Sequence, residues 1–387
     1  MPIVIDLFAG AGGLSLGFEQ KSFSIDLAIE KDLWAQETYV LNHSNHNCIV
    51  ADIAQLPDSF FLQYKDKVDV VMGGPPCQGF SIAASNRRDK NDSRNFLYLE
   101  FLRVVNIIKP KVVIIENVKE FVKYILPSGK KLVDDVAERL SQIGYDFDYK
   151  IVSMSDYGIP QDRTRFIGFA IHRAISVSFN LSNALEKYKK TPLTLMQVIG
   201  DLPIVAPRQL QDGDTIEYNI EPTNPFQCNI RNGSTFVANH VPMLHTPKTI
   251  EKFKFLLEKG SKEELPDELK SHIRGNVHEI SNSKFSQNHR VLKANKIAPT
   301  ITASFYSSFI HPTQPRNLTV REAARIQTFP DSFIFTGKKT TLSKKLLAKK
   351  GIVEDLHLDQ FNQVGNAVPP MMARILAEIC LTILGNN

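Results

Sequence analysis

Residues 3–13 read Ile3-Val4-Ile5-Asp6-Leu7-Phe8-Ala9-Gly10-Ala11-Gly12-Gly13, an apolar run that ends in a glycine-rich turn. The run is typical of a strand buried on both faces, and the glycines let the backbone turn tightly and approach a ligand closely. In a dinucleotide-binding fold such a turn is followed, about 20 residues on, by an acid that binds the ribose. Glu30 has that spacing from Gly10. Taken alone, the turn also occurs in other α/β proteins.

The residues up to about 170 alternate short β-branched runs with amphipathic stretches. The runs predict strands at 3–5, 25–29, 68–72 and 112–115, and the apolar spacing predicts helices at 33–42, 96–108 and 131–143. This alternation predicts an α/β domain with a mostly parallel sheet and helices on both of its faces. Ligands of such sheets bind in the crevice beyond the carboxyl ends of the strands.

The chemically unusual residues fall at those carboxyl ends. Five successive ends carry glycine, carboxylate or thiol groups, in the segments 6–13, Glu30, Asp52-Ile53, 73–81 and Glu116-Asn117-Val118. The ring of Phe8 is suited to lie against an adenine face, and Asp52 to accept a hydrogen bond from its amino group. Together with Glu30 these residues favour an adenosine-containing cofactor, with NAD as the alternative at this step.

The overall composition excludes several classes of protein. The chain has 387 residues, 43% apolar, with a net charge of +5. Collagen, coiled coil and disorder do not fit, and the length predicts roughly two or three domains. Four dispersed cysteines without a C-x-x-C pair argue against a disulfide framework and against a zinc site, and favour a reducing cytosol. We expect neither a signal peptide nor a membrane span, and the charge permits a nucleic-acid partner without requiring one.

A single cysteine stands out by its surroundings, the segment Gly73-Gly74-Pro75-Pro76-Cys77-Gln78-Gly79-Phe80-Ser81. The other three cysteines are interpreted as buried structural residues. A nucleophilic thiol needs nearby positive charge or an oriented dipole. Glu116 leaves the adjacent apolar strand, so its carboxyl group needs a partner or stays protonated. A thiol that adds to carbon 6 of cytosine while an acid acts at N3 would make carbon 5 able to attack the methyl of a sulfonium cofactor.

At this point the chain resembles the cytosine carbon-5 DNA methyltransferases of the bacterial restriction–modification type. The resemblance covers nearly all of the chain except residues 176–288. It rests on eight motifs in order: 6–13, Glu30, Asp52-Ile53, 74–81, Glu116-Asn117-Val118, Gln161-Asp162-Arg163-Thr164-Arg165, 316–330 and Gln363-Val364-Gly365-Asn366-Ala367-Val368-Pro369-Pro370.

The resemblance implies a role for each matching residue. Cys77 would be the nucleophile, Glu116 the group at cytosine N3, and Arg163 and Arg165 would hold the flipped base, with Arg165 nearest its O2. S-adenosyl-L-methionine would be bound by Phe8, Gly10, Gly13, Glu30, Asp52, Ile53, Pro75, Leu97, Asn366 and Val368. Residues 81–94 would form a loop that closes over DNA, with Ser81, Arg87, Arg88, Lys90 and Arg94 suited to the phosphate backbone.

The resemblance also implies two domains and a double-stranded DNA partner. A Rossmann-like methyltransferase domain would span 1–175 and be completed by 360–387. A smaller, irregular target-recognition domain would span 176–359, with its variable part at about 176–288 and a scaffold helix region at 316–330. Within the variable part the candidate base readers, because Arg suits guanine and Gln or Asn suits adenine, are Arg208, Gln209, Gln211, Gln227, Asn229, Arg231 and Asn232. Thr319 and Glu322 have the spacing of a capping box.

Several alternatives stay open from the sequence. One is a tRNA cytosine-5 methyltransferase, although the Cys-Phe-Thr run associated with that branch is absent. A second is a non-catalytic DNA-binding relative, and a third is an NAD-dependent oxidoreductase, which shares only the glycine turn and Glu30. The lysines between 338 and 350 are either a solvated helix face or a phosphate-contacting arm. We expect a cytoplasmic monomer without a membrane partner, with a cognate endonuclease as a possible functional partner.

Overall fold

The computed structural model describes residues 1–43, 47–76, 96–207, 211, 213–270, 272–273, 276–280, 288–342 and 344–385. By its internal contacts the chain divides into two units. The first unit comprises residues 1–192 and 367–387, and the second comprises residues 193–366.

The first unit is built on a seven-stranded sheet with the order β3-β2-β1-β4-β5-β8-β6. The strands of this unit are β1 (Ile3–Leu7), β2 (Ser24–Glu30), β3 (Cys48–Val50), β4 (Val70–Gly73), β5 (Val112–Val118), β6 (Tyr145–Ser153), β7 (Gln161–Asp162) and β8 (Thr164–His172). Strands β1 to β5 are parallel, and β8 runs antiparallel between β5 and β6. The order reverses at β1, so the crevice at the carboxyl ends of β1 and β4 is the expected ligand site.

Helices cover both faces of this sheet. They are α1 (Gly13–Glu19), α2 (Leu33–Asn42), α3 (Asp58–Leu62), α4 (Leu97–Ile108), α5 (Leu132–Gln142), α6 (Leu181–Glu186) and α13 (Pro370–Leu384). One core cluster gathers α1 and α13 against the sheet, and a second gathers α4 and α5 on the other face. The strands are buried on both faces because both are covered, which explains their continuous apolar sequence. The α/β fold class expected from the sequence is confirmed.

The boundaries of the two units differ from those expected from the sequence. The sequence places the first break at 175/176, whereas the internal packing places it at 192/193. The reason is α6, whose Leu181 and Leu185 are fully buried in the core that contains α13. The second break falls at 366/367 rather than 359/360, because α12 (Gln360–Asn366) belongs to the second unit.

The residues Gln360–Leu384 pass a length and hydropathy test for a membrane-crossing helix, although the sequence predicts no membrane span. The apolar part of this stretch is α13, which packs on α1 inside the first unit. Its hydropathy therefore reflects a core helix of the fold.

The contact between α1 and α13 depends on a glycine. A Cβ placed on Gly17 would lie 2.3 Å from the Cβ of Ala373 and 2.6 Å from the backbone nitrogen of Arg374. We expect Gly17→Ala to lower the free energy of unfolding by about 1–3 kcal/mol through overpacking. Helix propensity alone predicts the opposite sign, a gain of about 1 kcal/mol. Urea unfolding of both proteins decides between them, with the exposed Gln20→Ala as the control; a stabilised Gly17→Ala variant would contradict the close packing.

The second unit consists of short elements joined by long connections. Its helices are α7 (Leu195–Ile199), α8 (Pro225–Arg231), α9 (Pro247–Lys259), α10 (Val320–Ile326), α11 (Lys344–Lys350) and α12. Its strands are β9 (Ile216–Glu217), β10 (Phe236–Val237), β11 (His272–Ile273), β12 (Asn276–Ile280), β13 (Arg290–Val291), β14 (Ala298–Pro299) and β15 (Phe309–Ile310). This agrees with the irregular character expected from the sequence.

The second unit contains a network of buried ion pairs around α10. Thr319 and Glu322 form the expected capping box, and Arg316 donates two hydrogen bonds to the Glu322 carboxylate, at 2.8 and 2.7 Å. Arg325 binds Asp331 at 2.6 Å and also pairs with Asp201. All of these side chains are buried, so removal of one partner would leave an uncompensated charge and cost about 3–5 kcal/mol.

Buried histidines accompany this network. His240 lies between the Thr319 hydroxyl group, 2.9 Å from Nδ1, and the Pro203 carbonyl group, 2.8 Å from Nε2. The Pro203 carbonyl group can only accept, so Nε2 of His240 carries the proton. In this neutral imidazole, Nδ1 accepts a hydrogen bond from the Thr319 hydroxyl group. Burial lowers the pKa of His240 and that of His311 to about 4.

These histidines make the stability of the protein depend on pH. The unfolded chain takes up protons between pH 6.5 and 4 where the folded chain does not, so the free energy of unfolding falls as pH falls through this window. Between pH 7 and pH 5, we expect His240 and His311 each to lower the free energy of unfolding by about 2 kcal/mol. Urea unfolding at pH 7 and pH 5 measures the difference in the free energy of unfolding. In His240→Gln this difference should be smaller by about 2 kcal/mol, the contribution of one histidine. The same pH difference in His240→Gln as in the parent protein would contradict this account.

Candidate active site

The glycine turn connects β1 to α1 in an unusual backbone conformation. Phe8, Gly10 and Gly12 have positive φ values of 63°, 57° and 91°. For Phe8 this is the left-handed region that non-glycine residues rarely adopt, and it costs about 1–3 kcal/mol. Such strain is typical of positions where a side chain is directed toward a ligand.

Glu30, at the end of β2, is bonded to this turn. Its Oε2 accepts a hydrogen bond from the backbone nitrogen of Gly10 at 2.7 Å. Its Oε1 accepts from the backbone nitrogens of Lys31 and Asp32, both at 2.8 Å. Burial raises the pKa of Glu30, and these backbone bonds oppose the rise. The carboxylate therefore fixes the distance between the end of β2 and the glycine turn.

Asp52 follows β3 and begins a 3₁₀ turn by accepting a hydrogen bond from Ala54 N at 3.1 Å. Its Oδ2 lies 2.6 Å from the ammonium group of Lys31, which lowers the pKa of Asp52. Lys31 and Asp52 line a cavity of about 480 Å³ together with Val50, Ala51, Gln55 and Leu56. The cavity combines apolar walls with one carboxylate, which is the chemistry that an adenine ring requires.

The remaining predicted cofactor contacts lie as follows. Gly13 is the first residue of α1, Ile53 is buried in the core beside α4, and Leu97 begins α4. Val368 is buried in the core of the first unit. Asn366 ends α12 of the second unit and is exposed.

The end of β4 comes close to the strand beside it. A Cβ on Gly73 would lie 2.1 Å from the carbonyl oxygen of Leu7, so only glycine fits there. On the next residue, Gly74, a Cβ would lie 3.2 Å from Oε2 of Glu116. Asn117 donates a hydrogen bond to the carbonyl oxygen of Pro75 at 2.9 Å and so ties the segment after β4 to the end of β5. These contacts hold the Gly-Gly-Pro segment beside Glu116.

Glu116 forms the centre of a buried charge cluster. In the antiparallel pair of β5 and β8, Arg165 lies opposite Val118, which puts it diagonally across from Glu116 on the same face. The Arg165 Nε atom lies 3.2 Å from Oε1 of Glu116. Glu116 is 8% exposed. Burial raises the pKa of Glu116, while Arg165 and Arg163 oppose the rise.

Arg163 precedes β8 and is almost fully buried. Its guanidinium donates to the carbonyl oxygen of Ala367 at 3.1 Å. Burial and the nearby Arg165 lower the pKa of Arg163, and the Glu116 charge raises it. The structure thus brings together three of the four predicted catalytic residues. Cys77, Ser81, Arg87, Arg88 and Arg94 lie outside the described residues.

Comparison with known proteins identifies the family. The sequence profile of the C-5 cytosine-specific DNA methylases matches residues 3–382. The type II methyltransferase M.DdeI of Desulfomicrobium norvegicum is 40% identical over 97% of this chain and 87% of its own length. The type II methyltransferase M1.HphI of Haemophilus parahaemolyticus is 32% identical over 99% of this chain and 87% of its own.

The chain belongs to the C-5 cytosine-specific DNA methylase family.

Solved structures agree with this assignment. A prophage-encoded protein of E. coli, solved as a candidate DNA modification methyltransferase, has a TM-score of 0.73 and 25% identity over the whole of both chains. The S. pombe Dnmt2 methyltransferase has a TM-score of 0.59 at 17% identity over 99% of both chains, which shows the fold alone.

Members of the C-5 DNA methylase family use S-adenosyl-L-methionine as methyl donor. The residues of this chain fit that cofactor. A Cβ placed on the left-handed Gly10 would meet no heavy atom within 4 Å, which leaves a cradle beside the Glu30 carboxylate. The cavity at Asp52 lies one strand further along the same edge of the sheet. A sulfonium nucleoside needs both features, a close backbone approach and carboxylates for its sugar and base.

Two candidate base readers of the second unit are buried instead. The Arg231 guanidinium donates to the Asp201 carboxylate at 2.7 Å and lies 3.8 Å from the ring centre of Tyr218. Gln227 accepts a hydrogen bond from Thr223 N at 2.6 Å. Because both side chains are engaged inside the unit, we now assign them to its structure. Arg208 and Gln209 lie outside the described residues.

Sequence reasoning gave no role to two further residues near the carboxyl ends of the strands, Asp6 and Asn117. Asp6, at the end of β1, accepts a hydrogen bond from Ser15 Oγ at 2.7 Å, and burial raises its pKa to about 7. Asn117 stood out only as part of a motif. Their signal in the sequence is a polar residue one position before the carboxyl end of a strand that is otherwise largely apolar. The structural cysteines also differ from expectation in one case, since Cys228 is exposed while Cys48 and Cys380 are buried.

The glycine turn yields a paired prediction. An added Cβ on Gly12 would lie 2.1 Å from the His43 ring and 2.8 Å from the Tyr39 ring, whereas Gly10 has open space. Both positions are left-handed, which costs an alanine about 1–2 kcal/mol. We expect Gly10→Ala to lose that amount of stability and to weaken cofactor binding at least tenfold. Gly12→Ala should lose more stability through the added clash.

Thermal unfolding and titration calorimetry with S-adenosyl-L-methionine measure the two effects separately. Gly10→Ala is the matched control for Gly12→Ala, since both change the same residue type in the same turn. Equal stability of the two variants would contradict the crowding at Gly12, and full cofactor affinity in Gly10→Ala would contradict the cradle.

Proposed function

We propose that this protein is a sequence-specific DNA methyltransferase that transfers a methyl group to carbon 5 of a flipped-out cytosine and protects DNA in a restriction–modification system. The observation that carries the proposal is the buried Glu116–Arg165 pair, with Arg163 beside it, at the same sheet edge as the glycine turn. The family membership and the type II methyltransferases among its relatives support the same activity.

In this proposal the two units divide the work. The first unit binds the cofactor and carries the catalytic residues, and the second reads the target sequence in the major groove, where every base pair has a distinct pattern of donors and acceptors. The target cytosine leaves the duplex because carbon 6 is inaccessible in the stack, at a cost of a few kcal/mol.

The chemistry follows from the residues. The thiolate of Cys77 adds to carbon 6 while Glu116 hydrogen-bonds or protonates N3, so the electron pair of the 5,6 double bond becomes available at carbon 5. S-adenosyl-L-methionine supplies a methyl group on a positively charged sulfur. The donor would leave as a neutral thioether, whose sulfur keeps the electron pair of the broken sulfur–methyl bond. A base then removes the proton of the methylated carbon 5, the carbon 6–sulfur bond breaks, and the Cys77 thiolate leaves. A proton that N3 has taken from Glu116 returns to that carboxylate in the same step.

The surroundings of Glu116 suit this role. Burial raises its pKa, so the carboxyl group holds a proton more readily than an exposed glutamic acid and can offer it to N3. Arg165 keeps the carboxyl oriented at 3.2 Å and limits the rise. We assign Arg165 to the base O2 and Arg163 to the organisation of the active loop, where Ala367 O already holds its guanidinium.

The partner is double-stranded DNA, contacted by the basic residues of 81–94 and by the second unit. We also propose that the protein acts as a monomer in the bacterial cytoplasm, associated with the nucleoid through DNA. A cognate endonuclease would act on the same site without forming a stable complex with it.

Methyl transfer provides the test. Incubation with tritiated S-adenosyl-L-methionine and mixed-sequence DNA should label cytosine, and bisulfite sequencing of DNA from expressing cells should give the target site. We expect Cys77→Ala to abolish transfer and Glu116→Gln to reduce it by about 10²–10⁴-fold, because an amide cannot deliver a proton to N3. Both variants should keep the cofactor affinity of the parent in calorimetry.

Cys228→Ala is the matched control, since this exposed cysteine lies outside the proposed site. Folded parent protein that labels no DNA would overturn the proposed function. Labelling of tRNA in preference to duplex DNA in a competition assay would overturn the substrate. Lost cofactor affinity in Cys77→Ala would overturn the role given to the thiol.

A further inference from the structure

The second unit carries a group of cations that no step above has used. They are Lys252 on α9, Lys262 after it, Arg290 on β13, and Lys293 and Lys296 in the segment that follows β13. We call these five residues the basic surface.

A small core holds the parts of the basic surface together. Phe253 and Leu256 of α9 pack with Leu265, Leu269 and Ile310. On β13, Val291 packs against the same core, and β13 pairs with β15 in parallel register. Lys252, Lys262 and Arg290 therefore stand on elements that share one apolar support.

Specific contacts fix the individual cations. The Lys262 ammonium donates to the carbonyl oxygen of Asn288, two residues before Arg290. The Arg290 guanidinium lies 5.1 Å from the ring centre of Phe309 on β15. Backbone bonds from Leu195 N to Lys296 O at 2.8 Å and from Met196 N to Ala294 O at 3.1 Å anchor the following segment to α7. The arrangement is consequently preformed.

The cations lie close enough to repel one another. Both Lys252 and Lys262 are partly buried. Burial lowers the pKa of Lys252, and Lys262 and Lys248 lower it further. The pKa of Lys262 is lowered by burial and then by Arg290. Two acids of the same stretch are directed to other lysines, since Glu258 lies 3.3 Å from Lys259 and Asp267 lies 2.6 Å from Lys270.

A cavity lies along the same surface. It has a volume of about 190 Å³ and is lined by Arg290, Lys293 and Lys296 with four apolar residues. Among the described residues that line it there is no carboxylate. Three cations around an open recess match the chemistry of a phosphate group, since each can donate hydrogen bonds as well as charge.

We propose that the basic surface binds the phosphate backbone of duplex DNA and so sets the position of the second unit on it. Like charges held together on a rigid support cost stability that a polyanion relieves, and contacts to phosphate fix register without reading sequence. DNA is the occupant because the proposed function makes it the polyanionic substrate of this chain, and the proposal rests on that function.

The test compares two double variants of the full-length protein that each lose two positive charges. Lys252→Gln with Lys262→Gln removes half-buried cations of the basic surface. Lys65→Gln with Lys67→Gln removes two exposed lysines that precede β4, at the sheet edge opposite to the active site. The probes are a labelled duplex with the methylated site found by bisulfite sequencing and a duplex without it, titrated by fluorescence anisotropy over a series of KCl concentrations.

We expect the basic-surface variant to reduce the salt slope of log K by about 2, roughly one for each phosphate that is no longer neutralised. Binding should weaken by the same factor on both duplexes, because phosphates carry no sequence information. The control variant should keep the parent slope. An unchanged slope in the basic-surface variant, or a weakening confined to the duplex with the site, would overturn the proposal.

Two further measurements separate a binding role from a structural one. Lys252→Arg with Lys262→Arg keeps the charge and should restore the parent slope, whereas a purely packing role would not be rescued. If the Gln variant does not fold, the exposed pair Lys293→Gln with Lys296→Gln carries the same test. An unchanged slope in an enzyme that still methylates DNA overturns only the basic surface, while a parent that labels no DNA overturns the proposed function.

Discussion

The site depends on one electrostatic constraint, a carboxyl group buried at the end of a central strand. Glu116 directly follows four buried apolar residues of β5, and its own side chain is nearly inaccessible to water. Such a group is stable only if it is protonated or if cations lie beside it. The fold uses both solutions in part, because burial raises the pKa of Glu116 while Arg165 and Arg163 limit that rise.

The departure from a purely parallel sheet is what brings a cation to Glu116. A parallel neighbour of β5 would require a crossover connection and would present its own carboxyl end at this edge. The antiparallel β8 presents its first residues there instead, so Arg165 enters the sheet diagonally opposite Glu116. Gly74 and Asn117 then complete the arrangement, since the first leaves room for the carboxylate and the second anchors Pro75. Cys77, the proposed nucleophile, is two residues after Pro75 in the sequence.

Much of the first unit, and one helix start of the second, was predictable from the sequence because these signals are local. The apolar spacing predicted a helix over 33–42, where α2 (Leu33–Asn42) lies, and the Thr319–Glu322 spacing predicted a capping box that the structure contains. Long-range packing was not predictable in this way. Leu181 and Leu185 look like ordinary loop-region residues until the returning α13 provides the surface that they cover. Arg231 is of a residue type that reads bases. Only its hydrogen bond to Asp201, 30 residues away in the sequence, shows that its side chain is bound inside the second unit.

The same contrast applies to charge. In the second unit Arg231, Arg316, Arg321 and Arg325 are buried, three of them paired with Asp201, Glu322 or Asp331 at hydrogen-bond distance. These arginines count in the net charge of +5 but are engaged in internal structure, where the rigid guanidinium fork is matched to carboxylates. Much of the positive charge that can reach a partner is then supplied by lysines. Their compact ammonium groups can bind DNA phosphates whatever the base sequence. The net charge of the whole chain therefore says little about DNA binding, and the proposed backbone contact rests on the local charge of the basic surface.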